Sequence, residues 1–280
     1  MATETGLSLV NGCWAESIPV RDRGLAYGHG VFETARLCEG NLPLWPLHLE
    51  RMVEGAKRLS IPLDSSTLQA HLETLLASCP ADGVVKIILT AGVSGRGYRT
   101  SHESEPLYIL QWLPLPDYPR EWGRQGISVR ICEHRLAANR KLAGIKHLNR
   151  LDQVLARMEW QDQYQEGLML DQQDRVIEGT CTNLFCSVGG KWLTPVLDNC
   201  GVAGVLRHYL MEQLFPLMNA AVEETDLAIG DLQKMDEIFM CNSVAGIWPV
   251  RRIEGLGEWH PGTGVQTISA LLTQAIPCYK

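Results

Sequence analysis

Residues 114–126 read PLPDYPREWGRQG, a stretch with three prolines and two glycines. Proline fixes φ and lacks a main-chain donor, so such a stretch interrupts any sheet or helix that approaches it. β-prone apolar runs and helical patterns lie on both sides of it, so each side has to build a core of its own. The composition therefore predicts a first domain over 1–116, a linker over 117–126 and a second domain over 127–280. The length of 280 residues, 45% hydrophobic and 20% charged, permits either one large domain or two modest ones, and the break decides for two.

In the first half, "VFETARLCEG" predicts a strand ending in a turn at Gly40, with "LPLW" as its return. Leu49, Met52, Val53, Ala56 and Leu59 recur at helical spacing, and Pro62 lies just beyond. Asp64 or Ser65 can cap a second helix whose apolar face is Leu68, Leu72, Leu75 and Leu76. "VVKIILTAG" and "LYILQWL" are two further strands, so this half is α+β. In the second half "ISVRIC", "LMLD", "TNLFCSV", "KWLTP" and "EIFMC" are strand-like, the last running into "NSVAGIWPV". Gly189-Gly190 supplies a tight hairpin turn. One helix carries Leu148, Leu151, Leu155 and Met158, and another runs from about Val205 to Leu214.

The net charge of −7 and the lack of a basic stripe argue against nucleic acid and against an anionic membrane surface. No run of about 18 apolar residues occurs, so no membrane helix is expected. "MATETGLSLVNGCW" lacks the basic segment and apolar core of a secretory signal. Nine cysteines are scattered singly, odd in number and without a C-x-x-C pair. That favours a reducing cytoplasm over a disulfide framework, and no metal site is expected.

Three features carry possible chemistry. Lys146, in "GIKHLNRLDQVL", has little polar cover from Gly144, Ile145 and Leu148. It is either a charge snorkelling from an element end or an amine in a dry site, where it becomes nucleophilic. Glu178 ends an apolar strand and is followed by glycine; it is either an ordinary strand-end acid or a carboxylate facing a cation indoors. Gly201 and Gly204 precede a helix with no acid in its first turn, which suits either a plain connection or an anion on the helix N-terminus. No G-x-G-x-x-G or G-x-x-x-x-G-K-S/T motif occurs. An amine for an imine, a carboxylate for a ring nitrogen and donors for a phosphate are the three handles pyridoxal phosphate requires.

The chain resembles the fold-type IV pyridoxal-phosphate enzymes, the branched-chain and D-amino-acid aminotransferase-like family. The resemblance is carried in order by "RDRGLAYGHGVFETAR", "HLERM", "SGRGY", "GIKHLNRLDQVLAR", "VIEGTCTNLF", "TPVLDNCGVAGVLR" and "CNSVAGIWPV". It implies a small N-terminal α/β domain, a larger C-terminal β-barrel-like domain with helices, a pyridoxal 5'-phosphate cofactor, a small-molecule substrate and a homodimer. By the same resemblance Lys146 looks like the cofactor-bearing lysine and Glu178 like the partner of the pyridine nitrogen. Arg51, the backbone at Val205 and Leu206, and Ser243 look like the phosphate holders. Arg96, Phe32 and Asn242 fall at substrate-binding positions, and Thr34 is the candidate proton donor to a leaving group. Branched-chain aminotransferases place a tyrosine five residues after the lysine, where this chain has Leu151. D-amino-acid enzymes read V-Y-E where this chain has Val31-Phe32-Glu33. "FETAR" and "KHLNRL" are similar instead to a lyase that splits 4-amino-4-deoxychorismate into 4-aminobenzoate and pyruvate. An aminotransferase of the same fold is the competing reading, and a metabolite-binding protein without chemistry is the reading from another class.

Overall fold

The β-prone runs of the first half pair side by side. In the computed structural model, which describes residues 6–95, 97–100 and 105–279, they form β1 (Leu7–Val10), β2 (Cys13–Trp14), β3 (Gly30–Leu37), β4 (Gly83–Thr90) and β5 (Leu107–Leu113). These strands make one antiparallel sheet in the order β2-β1-β5-β4-β3. Three helices accompany it: α1 (Arg23–Tyr27), α2 (Trp45–Arg58) and α3 (Ser65–Leu76). Alternate residues of the strands, among them Leu9, Val31, Val85, Ile87, Leu89 and Leu110, join Met52, Ala56, Leu68, Leu72 and Leu75 of α2 and α3 in one buried core. Asp64 caps α3 as expected, accepting from the Ser66 N–H at 3.0 Å. "LPLW" is not a strand. Its pairing stops at one bridge, Cys38 to Asn41, because Pro43 and Pro46 lack donors and Pro46 lies in the first turn of α2, where a missing N–H costs nothing.

Residues 145–149 group with this first unit, although the sequence reading assigned them to the second; the units are 1–116 with 145–149, and 117–144 with 150–280. The reason is a main-chain one. β3 is the last strand of its sheet, and the segment pairs with its edge. Phe32 N–H donates to Lys146 O at 2.9 Å, and Leu148 N–H to Gly30 O at 3.0 Å.

The second unit starts inside the stretch read as linker. Residues 120–125 form α4 (Arg120–Gln125), held by the Trp122 indole at 5.4 Å from Trp248. Then follow β6 (Ile127–Leu136), α5 (Leu151–Arg157), β7 (Glu166–Asp171), β8 (Val176–Gly179), β9 (Asn183–Val188), β10 (Lys191–Pro195) and α6 (Val205–Tyr209). The α6 helix continues as a π turn over Leu210–Leu214. The remaining elements are β11 (Val222–Thr225), α7 (Ile229–Leu232), β12 (Glu237–Asn242), β13 (Gly246–Ile253), β14 (Gly257–Glu258) and α8 (Thr263–Ala275). Their sheet runs β11-β10-β9-β12-β13-β6-β7-β8, with β14 on β13, and it curls so that β8 also meets β9. The β9–β10 hairpin turns at Gly189 (φ 56°) and Gly190 (φ 79°), the positive pair a two-residue turn of this kind demands. The apolar stripe of α5 does not face a core: Leu151 is 72% and Met158 74% exposed. Helical spacing reports a common face but not what covers it. Among the described residues no helix is long and apolar enough to cross a membrane.

One polar cluster is buried between β3 and α2. Glu33 and His48 are each 1% exposed. Arg51 Nε donates to Glu33 Oε1 at 2.8 Å and Nη2 to Oε2 at 2.5 Å, while His48 Nδ1 donates to Oε2 at 2.6 Å. Burial alone would raise the Glu33 carboxyl, but the charge and hydrogen bonds of Arg51, joined by His48, hold it at about 2. Burial pushes His48 below its ordinary value, so its ring is neutral and carries its proton on Nδ1. Both groups therefore bind fewer protons folded than unfolded, and stability falls on acidification. The His48 contribution is complete above 6.5 and is lost below it; the Glu33 contribution is complete above 4.5 and is lost as pH falls toward about 2. The Glu33 displacement from 4.5 to about 2 corresponds to on the order of 3 kcal/mol. Hydrogen exchange of the β3 amides should show protection weakening first below about pH 6.5 and again between 4.5 and 2. In E33Q the second fall should disappear and protection at neutral pH should drop; an unchanged acid profile in E33Q would contradict the account.

Candidate active site

In the first unit, strand pairing decides which side chains meet. Val31 bridges His147, so Phe32 stands opposite Lys146 across the antiparallel pair and both point to the same face. Lys146 Nζ lies 4.5 Å from the centre of the Phe32 ring. Two residues along β3, Thr34 projects to that face as well. The fold thus brings Lys146, Phe32 and Thr34 together on the side of β3 away from the buried core. Arg51 belongs to α2 and is gripped by Glu33, and the positive charge of Lys146 reaches the same cluster by lowering His48 further. Arg96 lies outside the described residues. Its flanks are anchored by Arg23, which donates to Ser94 Oγ at 3.1 Å, Gly97 O at 3.0 Å and Tyr98 O at 3.1 Å.

In the second unit, Glu178 is the penultimate residue of β8 and is 4% exposed. Its Oε2 accepts from Val202 N–H at 2.8 Å. Val202 O accepts from Asn183 Nδ2 at 2.8 Å, and Gly144 and residues 201–203 exchange two main-chain bonds. The loop 201–204 therefore ties Glu178 to the start of α6, where Val205 and Leu206 are buried. The N-cap is Gly204, with no side-chain cap and no acid in the first turn. A Cβ at Gly204 would sit 1.9 Å from Asn183 Oδ1, so only glycine fits. Ser243 lies in the turn between β12 and β13, and its carbonyl accepts from the Tyr279 hydroxyl at 2.7 Å. Asn242 shapes that turn: its Oδ1 accepts from the N–H groups of Val244 and Ala245 at 2.9 and 2.8 Å.

Sequence reasoning missed the groups that hold these residues in place. Glu166 is 1% exposed and opens β7. Its carboxylate accepts from Gly167 N–H at 2.8 Å, Thr180 N–H at 3.1 Å, the Thr180 hydroxyl, Cys181 N–H at 3.2 Å and the Thr182 hydroxyl at 3.0 Å. That fastens the loop leaving Glu178. The available signal was a lone acid directly before the apolar run "GLML". Glu33 and His48 were missed for the same reason: an acid at alternate register in an apolar strand marks a buried partner.

Each unit holds groups of the kind pyridoxal phosphate needs. The first offers a lysine amine set against an aromatic ring. The second offers a buried carboxylate with one oxygen committed to a backbone N–H, and an uncapped helix start that no side chain at position 204 can block. The residues present fit that group.

The profile of the family described as amino-transferase class IV matches residues 30–253. An aminodeoxychorismate lyase from Vibrio harveyi is 35% identical over 247 residues, which cover 87% of this chain and 90% of that relative. The crystal structure of 4-amino-4-deoxychorismate lyase from Pseudomonas aeruginosa superposes with a TM-score of 0.91 at 43% identity, over 96% of this chain and 99% of that one. The branched-chain amino acid aminotransferase of Escherichia coli shares the fold, with a TM-score of 0.85 at 22% identity over 97% and 94% of the two chains. The chain is a member of the class IV aminotransferase family.

Proposed function

We propose that the protein is a pyridoxal-phosphate-dependent lyase that converts 4-amino-4-deoxychorismate into 4-aminobenzoate and pyruvate, a step of folate biosynthesis. The observation that carries the reading is the pairing of Lys146 with Phe32 rather than with a tyrosine. The amine is in place, and the hydroxyl that would grip an amino-acid carboxylate is not. The similarity to the two lyases above supports the same choice.

When bound, pyridoxal phosphate supplies an electron sink for charge that develops beside the substrate amine. The residues of the chain do the rest. Lys146 Nζ would hold the cofactor and, as a free amine, would take the proton from C4 of the substrate as general base. Glu178, whose Oε2 accepts from the Val202 N–H, would keep a proton on the ring nitrogen. Arg51, Ser243 and the first N–H groups of α6 hold the phosphate, and Glu33 orients Arg51. Arg96 binds a substrate carboxylate and Asn242 lines the substrate's place. The Thr34 hydroxyl donates a proton to the departing enolpyruvate oxygen as the C3–O bond breaks and the ring becomes aromatic.

The chain pairs with a second copy, and Leu151, Leu155 and Met158 on the outer face of α5 support this, since a stripe of that size is otherwise left in water. All nine cysteines are free, in keeping with a reducing cytoplasm.

Product analysis tests the function. Purified protein given 4-amino-4-deoxychorismate should release 4-aminobenzoate and pyruvate in equal amounts, and D-alanine should be processed at least about a hundredfold more slowly, the worth of one charged hydrogen bond. In cofactor-loaded E178Q, kcat should fall by about a hundred- to a thousandfold. Amino transfer to 2-oxoglutarate in place of 4-aminobenzoate release would overturn the reading. Light scattering tests the pairing: wild type should have the mass of two chains, and L151E/M158E that of one. A wild-type monomer at micromolar concentration would contradict it.

A further inference from the structure

The stretch that follows Lys146 carries a second cation, which the reaction above leaves unused. Arg150 stands at the start of α5 and is half-buried. Its Nε is buried and has no hydrogen-bond partner among the described residues. Such a donor is rare in a folded chain, because a charged group withdrawn from water without a partner forfeits its hydration. Three residues on, Gln153 repeats the pattern: its Oε1 is buried without a partner among the described residues. The spacing puts both side chains on one side of α5, away from the exposed Leu151 and Met158. That side of the helix thus carries two buried polar atoms unmatched among the described residues, which is how a protein surface looks when a ligand completes it.

The acids nearby have other work. Asp152 accepts from His134 Nε2 at 2.8 Å and from Ala137 N–H at 3.2 Å. Glu178 accepts from Val202 N–H. Burial lowers the Arg150 guanidinium, and the fields of Glu178 and Asp152 raise it, so Arg150 lies within electrostatic reach of both carboxylates while its Nε donates to neither.

We infer that Arg150 donates to the anionic 3-oxygen on the cofactor's pyridine ring, beside the ring nitrogen held by Glu178. The inference rests on the pyridoxal-phosphate reading above. Its chemistry is that of the ring itself. The 3-oxygen is attached one atom beyond the neighbour of the ring nitrogen, so a ring whose nitrogen meets Glu178 presents that oxygen in the same neighbourhood. There an anionic oxygen and the Glu178 carboxylate would repel one another unless a cation stood by them. The phosphate leaves the ring elsewhere and has its own donors in α6, Ser243 and Arg51. A planar guanidinium suits an in-plane ring oxygen, and the Gln153 amide can turn its NH2 toward the same ligand.

A binding cycle with two ligands isolates this contact. Dissociation constants of pyridoxal phosphate and of 3-deoxypyridoxal phosphate, which lacks only the ring oxygen, are measured by absorbance for wild type, R150K and R150Q. R150Q should weaken pyridoxal phosphate by about tenfold or more and leave the deoxy analogue unchanged, so that the preference for the oxygen collapses. R150K, which keeps the charge, should retain part of that preference. Equal weakening of both ligands would overturn the inference and assign Arg150 to Glu178 or to the fold. Unchanged binding of both with a raised KM would overturn it in favour of a substrate carboxylate. A wild type that binds neither ligand would instead remove the cofactor reading on which the inference stands.

Discussion

Two main-chain hydrogen bonds, Phe32 N–H to Lys146 O and Leu148 N–H to Gly30 O, set the terms for the first unit. They put residues 146–148 on the open edge of β3, and the alternation of an antiparallel pair does the rest. Lys146 has to face the side that carries Phe32 and Thr34, while Val31 faces the core with Leu37 and Met52. A slip of one residue would turn Lys146 to the wrong side of the sheet. Register thus decides which face of the sheet Lys146 presents. Asn149 adds a lock at the end of the segment, its Nδ2 donating to Gly28 O at 3.0 Å.

The second unit uses buried carboxylates in a comparable way. Glu166 collects the donors of residues 180–182, and Glu178 receives the Val202 N–H. Both acids accept hydrogen bonds from the backbone, which lowers the cost of keeping a charge in a dry interior. The loops that leave β8 and enter α6 are thereby held by the chain's own hydrogen bonds. Glu33 does the same for Arg51 in the first unit. Its carboxylate fixes the guanidinium by two parallel bonds.

Much of this was legible in the sequence, and the exceptions have physical reasons. Helix α3 with its Asp64 cap, the Gly189-Gly190 hairpin and the helix beginning at Val205 depend on local chemistry, and local chemistry is written in neighbouring residues. Lys146 and Glu178 stood out because each interrupts an apolar context. The failures are long-range. Nothing near "LPLW" says that β3 pairs with β4, some fifty residues later, instead of with its own return. Nothing in the spacing of α5 tells that Leu151 and Met158 face outward. Glu166, Glu33 and His48 hold the site through partners that are remote in sequence or offset by a turn, and a single chain gives no view of those pairings. The stretch 117–126 was read from its prolines, yet Tyr118 and Trp122 pack on Trp248 and give it a helix.

The account stands on Lys146 being the residue that carries the cofactor. Purified protein loaded with pyridoxal phosphate can be reduced with borohydride, digested, and its peptides weighed by mass spectrometry. Reduction should bleach the yellow colour and leave the added mass on one peptide, at Lys146. Modification at a different lysine, or a bleached protein whose Lys146 peptide keeps its unmodified mass, would contradict the account.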